Sequence, residues 1–317
     1  MFMNSLKNGA LSGLKTTWTL GKVIFPVTLI VALLQHSPVL PWIIDKIAPL
    51  MNVFGLSGDA AIPLVLGNLL NLYAGIGAIL TLDLSVKEVF IIAIMLSFSH
   101  NLLIESSVAM KSGVKLWVIL TVRIGLAMIA ALLVNLCWNG GAELAQYGLI
   151  STSNTTPTGV VAIFMDGLQR ALLGVVQLAI IVIPLMIGIQ FLKDLKWLDF
   201  ITKWMHPITR MLGMKENTAL TMTVGLVLGL AYGAGVLIQA VKEEGVTRKD
   251  ATLAFIFLIA CHAVVEDTLI FVPLGIPVLP LLLIRLCTAI ILTFVIARVW
   301  NRSESIRRKE VSLEGKY

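Results

Sequence analysis

The sequence predicts an all-α polytopic membrane protein made of two inverted-topology repeats. Each repeat is expected to hold three spanning helices, an amphipathic helix and a re-entrant glycine-rich hairpin. Three observations carry this: apolar runs of bilayer length, an internal repeat that pairs rare polar residues, and an uneven distribution of cations. The 317 residues are 58% hydrophobic and 13% charged, with a mean hydropathy of +0.94. Soluble chains carry about a quarter charged residues, whereas several runs here reach the ~20 apolar residues needed to cross a hydrocarbon core. The opening "MFMNSLKNGALSGLKTTW" has no compact apolar core followed by a small-residue cleavage site. The first span is therefore expected to direct insertion itself.

The repeat is read by displacement. A shift of 158 residues pairs Pro26 with Pro184, Pro49 with Pro207, Gly55 with Gly213 and Gly67 with Gly225, then Gly75 with Gly233 and Gly77 with Gly235. After a four-residue insertion the shift is 162, pairing Lys87 with Lys249, Glu88 with Asp250, His100 with His262 and Glu105 with Asp267. It continues through Ser106 with Thr268, Gly113 with Gly275 and Arg123 with Arg285. A collinear series containing intramembrane histidine, carboxylate and arginine marks two related halves, 17–138 and 165–300. The polar linker 139–164 joins them, and a basic tail, 301–317, follows.

Each half has the same elements in order. A first span (17–35, then 167–191) leads to a proline-containing amphipathic stretch (38–54, then 195–212). The glycine-rich segments 60–80 and 217–239 follow, then two further apolar runs at 89–110 and 114–138, and at 251–271 and 275–299. The N-terminal segment through Lys22 has three cations, the linker none, and the tail from Arg298 six. The positive-inside tendency puts both termini in the cytoplasm and the linker outside. Each half must then cross an odd number of times, so one of its four segments enters and leaves on the same side. With the glycine-rich segment re-entrant, nineteen cations lie inside, two outside, and Arg123, Arg170 and Arg285 within spans. Glycine permits both the tight reversal and close helix packing, and polar backbone at that depth is tolerated where protein or a cavity satisfies it. Lys193, Lys196, Lys203, Arg210 and Lys215 read as a basic amphipathic stretch lying on anionic lipid.

"GNLLNLYAGIGAI" with "SFSHNLLIESS", and the echo "GLVLGLAYGAGVL" with "CHAVVEDTL", resemble the Gate family, also called nucleoside-recognition domain proteins. The resemblance covers almost the whole chain as two Gate repeats. That family includes the membrane gate of bacterial ferrous-iron transporters and the spore maturation membrane proteins. The order of elements is also similar to the core of concentrative nucleoside transporters. There, substrate binds between two hairpin tips and two helices unwound near mid-membrane. The resemblance implies transport more strongly than it implies nucleosides.

Ionisable residues inside a membrane are costly and are functional candidates by default. His100 and Glu105 share no face of an unbroken helix, and converge if it unwinds near Ser99–Asn101, as the resemblance implies. His262 and Glu266, four apart, share a face, and Asp267 and Thr268 match Glu105 and Ser106. Histidine titrates near neutral pH, so these sets suit a polar solute or a coupling proton. Asn68 and Asn71 lie at the first predicted tip with Tyr73 beyond. The second tip has Gly229, and Tyr232 lies one position past the match to Tyr73. Arg123 and Arg285 are expected to pair with Glu105 and Asp267, or to meet an anionic substrate group.

The expected function is a secondary transporter in the cell (inner) membrane, moving a small polar solute through a central site with a proton or sodium ion as coupling ion. The lipid bilayer is the surrounding partner, and a second copy of the chain is a candidate one. A net charge of +6 without a basic patch interleaved with aromatics gives no nucleic-acid signature. No His-Glu-x-x-His pair or phosphate-binding loop occurs, so no enzyme activity, cofactor or bound metal is expected. Cys137, Cys261 and Cys287 lack metal-ligand spacing and form no disulfide framework. The alternatives are a non-transporting assembly component of the spore-maturation type and a divalent-metal permease. Polar residues kept in both halves oppose the first, and the lack of a compact multi-histidine cluster opposes the second.

Overall fold

The computed structural model describes residues 2–35, 39–147, 159–195, 197–231 and 233–314. Tyr232, Lys196, and parts of the linker and of the basic tail lie outside the described residues. In chain order the helices are α1 (Phe2–Gln35), α2 (Val39–Val53), α3 (Ala61–Leu69), α4 (Leu72–Ile79), α5 (Val86–Ser99), α6 (Leu102–Lys111) and α7 (Leu116–Cys137). The second series is α8 (Val160–Asp194), α9 (Trp197–Met211), α10 (Ala219–Leu228), α11 (Ala234–Glu243), α12 (Arg248–Ala260), α13 (Glu266–Leu269) and α14 (Val278–Glu314). Its members follow the order of the first, with Pro26 inside α1 and Pro184 inside α8. No strand occurs among the described residues, and the protein is an all-α polytopic membrane protein. Four segments there are long and apolar enough to cross a bilayer: Val86–Lys111, Leu116–Cys137, Val161–Phe191 and Val278–Ser303. The first is buried over most of its length, whereas the other three are largely exposed. His100, Glu105 and Ser106 thus sit on the buried span.

The chain forms two compact units, and neither is a sequence half. Unit 1 comprises Met1–Ile104, Arg123–Trp197 and Val265–Leu282. Its longest contact is between α1 and α8, the corresponding first helices of the two halves. A Cβ on Gly9 would meet the Cα of Ile187 at 2.6 Å, and one on Gly13 that of Ile183 at 2.8 Å. Gly21 faces Val175, and the rings of Phe2 and Phe191 meet in a tilted contact, centroids 5.1 Å apart. Numbers rise along α1 as they fall along α8, so the pair is antiparallel, as inverted repeats require. Small residues allow this approach where apolar packing alone gives no preference over lipid. Hydropathy places the start of the first span at 17, but the helix begins at Phe2 because Gly9 and Gly13 continue the seam.

Also in unit 1, α2 meets the next helical segment at 91°, around Gly55 with its positive φ of 72°. The nine residues of α3 and eight of α4 each span roughly 12–14 Å at 1.5 Å per residue, too short to cross. Gly75 approaches both Pro63 and Gly67, so the two arms fold back on each other as a hairpin. Thr28 of α1 donates to the Gly77 carbonyl at 3.4 Å. At the start of α5, Ser85 and Glu88 form a reciprocal capping box, and Glu88 also accepts from the Ser57 amide at 2.9 Å.

Unit 2 comprises Glu105–Val122, Leu198–Val264 and Leu283–Tyr317. It holds the second hairpin, α10 with α11, in which a Cβ on Gly233 would meet the Gly229 carbonyl oxygen at 2.5 Å. Thr247 caps α12 by accepting from the Asp250 amide at 3.2 Å, repeating the Ser85 cap. The amphipathic α9 exposes Phe200, Trp204, Ile208 and Met211 on one side, with Arg210 paired to Glu216.

Candidate functional site

In the first repeat, α5 stops at Ser99 and α6 begins at Leu102. Neither glycine nor proline marks this break. Asn101 takes the left-handed conformation, φ 52°, which asparagine tolerates better than most residues. Its amide leaves the helix ladder and donates to the Gly67 carbonyl of α3 at 2.8 Å. The carbonyl of His100, stranded at the end of α5, accepts from the guanidinium of fully buried Arg123. His100 Nδ1 contacts the Leu96 carbonyl at 2.6 Å. A carbonyl only accepts, so this nitrogen carries the proton.

The second repeat builds the same device in unit 2. α12 ends at Ala260, and Ala263 takes φ 40°. The Ala263 amide donates to the Gly225 carbonyl at 3.0 Å, and Val264 to Leu226 at 2.9 Å. Arg285 donates to the His262 carbonyl at 2.9 Å, and His262 Nδ1 to the Leu258 carbonyl at 2.7 Å. Gly229, φ 76°, comes so close that its Cβ would lie 3.0 Å from that of Ala263. Left-handed alanine costs about 1–2 kcal/mol, so Ala263→Gly is expected to raise the melting temperature of the detergent-solubilised protein. A fall would show that the Ala263 methyl packs usefully.

The buried carboxylates reach across the repeats. In unit 2, Glu105 Oε1 of the first half lies 3.4 Å from His262 Nε2 of the second, both almost fully buried. In unit 1, a carboxylate oxygen of Asp267 lies within 4.8 Å of a His100 ring nitrogen. These are matching pairs, since Asp267 corresponds to Glu105. Glu266, also in unit 1, accepts from the Tyr73 hydroxyl at the start of α4.

The predicted residues divide accordingly. Asn71 caps α4, its side chain accepting from the Ala74 amide at 2.9 Å. Asn68 donates to the Leu64 carbonyl at 2.7 Å. Among the described residues, Asn68 Oδ1, Asn101 Oδ1, Ser106 Oγ and Thr268 Oγ1 are buried with no hydrogen-bond partner. One expectation is corrected. His262 and Glu266 share no helix face, because the chain breaks after Ala260 and Glu266 opens α13. Arg123 and Arg285 also donate to the carbonyls of His100 and His262, where each guanidinium closes a helix end. The sequence signal that was overlooked is the identical spacing of 23 residues from histidine to arginine in both halves.

The sequence model of the Gate family, described as nucleoside recognition, matches residues 17–121 and 175–280. The chain is 63% identical over 294 residues to the "Uncharacterized membrane protein YvoD" of Bacillus subtilis (strain 168), covering 93% of this chain and 94% of that protein. No solved structure matches it.

Proposed function

Because the chain belongs to the Gate, or nucleoside-recognition, family, we propose that it is a secondary transporter of a small polar solute, nucleoside-like in its hydrogen bonding. The observation that carries this reading is the repeated interrupted helix. In each half a buried histidine sits at the break, and each hairpin gives a carbonyl to the break of its own repeat. Interrupted helices expose backbone groups that a polar solute or an ion can use. The solute-binding set is Asn68, Asn71, Tyr73, His100, Asn101, Glu105, Ser106, Gly229, Tyr232, His262, Glu266, Asp267 and Thr268, with Arg123 and Arg285 holding the helix ends. The repeats run over 17–138 and 165–300, both termini face the cytoplasm, and the protein lies in the cell membrane. A proton or sodium ion drives the movement, and no covalent step is catalysed.

The test is a thermal-shift screen of the purified protein with nucleosides, small anions, divalent metals and lipid headgroups. A specific ligand at about 100 times its Kd adds roughly 2.7 kcal/mol to stability. The best ligand is then expected to lose at least about tenfold in affinity, ~1.4 kcal/mol, in His100→Ala, Glu105→Gln and Asp267→Asn. A ligand that binds all three variants as it binds the native chain would remove this site.

A further inference from the structure

We propose that α9 is a lipid-selective surface, whose exposed face binds the anionic phospholipids of the surrounding leaflet. Helical spacing sorts its residues into three arcs. Met205, Thr209 and Leu212 turn inward and are buried. Phe200, Trp204, Ile208 and Met211 fall on the next arc and are exposed. Asp199, Lys203 and Arg210 occupy the third. The turn after α9 fixes the depth of this face within unit 2. A Cβ on Gly213 would lie 2.8 Å from that of Ala297 and 4.0 Å from Asn301 Nδ2. Both residues belong to the last turns of the apolar span Val278–Ser303, and Lys249 donates to the Asn301 side chain there. The end of an apolar span is where acyl chains give way to headgroups. At that depth lipid is the natural occupant of an exposed apolar stripe, and a water-soluble partner would have to displace it. A helix so placed seats its apolar face at the acyl boundary and its polar flank among the headgroups.

Charge then chooses the lipid. Arg210 is paired with Glu216, and Asp199 is the single acid on α9. Lys203 and Lys215, both exposed, have no ion-pair partner among the described residues. Arg298 and Arg302, also exposed, flank Asn301 on α14. Cations at this depth are drawn to anionic headgroups, an attraction that falls off within a Debye length. The corresponding helix of the first repeat supplies the contrast. There α2 exposes Trp42, Leu50 and Val53 but carries one acid and one cation, Asp45 and Lys46. It meets lipid without selecting its charge, so selectivity belongs to the second repeat alone. The lipid contact stands whether or not the protein transports.

The test uses the full-length protein in nanodiscs, with Cys137 and Cys287 replaced by serine and an NBD fluorophore on Phe200→Cys or Ile208→Cys. The parent without either cysteine gives the background from buried Cys261. Phosphatidylglycerol or phosphatidylcholine carrying a nitroxide high on the acyl chain quenches the fluorophore on contact. Both lipids are expected to quench at both positions, the anionic one at least about twofold more strongly at equal mole fraction. Lys203→Gln combined with Lys215→Gln should bring that ratio to one, as should salt near 1 M, where the Debye length is about 3 Å. A label on Leu50→Cys of α2 should show a ratio of one throughout. Quenching of the α9 labels by aqueous iodide instead of lipid overturns the proposal. So does protection from both, the mark of a second copy or a protein partner. A smaller ratio with the native charges, a ratio that survives either treatment, or an equal preference at Leu50 overturns it as well. The salt series needs no charge variant, so the result is decided even if the double substitution fails to fold.

Discussion

Arg285→Leu is expected to destabilise the detergent-solubilised protein by roughly 2–3 kcal/mol, the range of a hydrogen bond from a charged donor together with an orphaned acceptor. Arg285 is fully buried, and the His262 carbonyl it serves lies in the break just past α12. The negative end of the α12 dipole points at the same guanidinium. Leucine fills part of the volume and leaves that carbonyl unserved. Arg123→Leu is expected to act alike on the His100 carbonyl. Lysine in either place restores charge without the planar fork and should recover part of the loss. Cys261 gives a local readout, being fully buried beside His262. With Cys137 and Cys287 replaced by serine, a thiol reagent should reach Cys261 faster in Arg285→Leu than in the parent. Unchanged labelling and an unchanged melting temperature would mean that the arginine does not hold the break.

The second large effect concerns the seam between α1 and α8. Gly9→Leu and Gly13→Leu are each expected to cost about 1–3 kcal/mol, the usual range for overpacking. The obstructing atoms are the backbone Cα atoms of Ile187 and Ile183, 2.6 and 2.8 Å from the added Cβ. This makes a sharper forecast than destabilisation alone. Trimming the facing side chains, as in Ile187→Ala or Ile183→Ala, should fail to rescue the leucine variants, because backbone cannot be trimmed. Rescue in a thermal-denaturation series would show that the helices are held further apart than the structure places them.

The fold was legible because duplication leaves marks that hydropathy and charge make independently. The glycines at 67 and 225, and at 75 and 233, announced hairpins, and the cation asymmetry required that something re-enter. The breaks were less legible. Asn101 and Ala263 occupy the same left-handed position, yet only asparagine hints at it, and what pulls each amide out of its helix is a hairpin carbonyl 34 or 38 residues earlier in the chain. The ionisable residues stood out because they are expensive in lipid. Their pairing did not, since each carboxylate answers a histidine of the opposite repeat. The arginines' bonds to the His100 and His262 carbonyls were not legible, because a backbone carbonyl exposed by a break carries no letter.

The antiparallel seam of α1 and α8 also sets an order of events during synthesis. Gly9, Gly13 and Gly21 precede by about 140 residues or more the helix that covers them, which spans Val160–Asp194. Contacts of such long sequence separation form late. The first repeat, although it carries its own hairpin and broken helix, must therefore wait in the bilayer with its glycine face against lipid until the second repeat emerges.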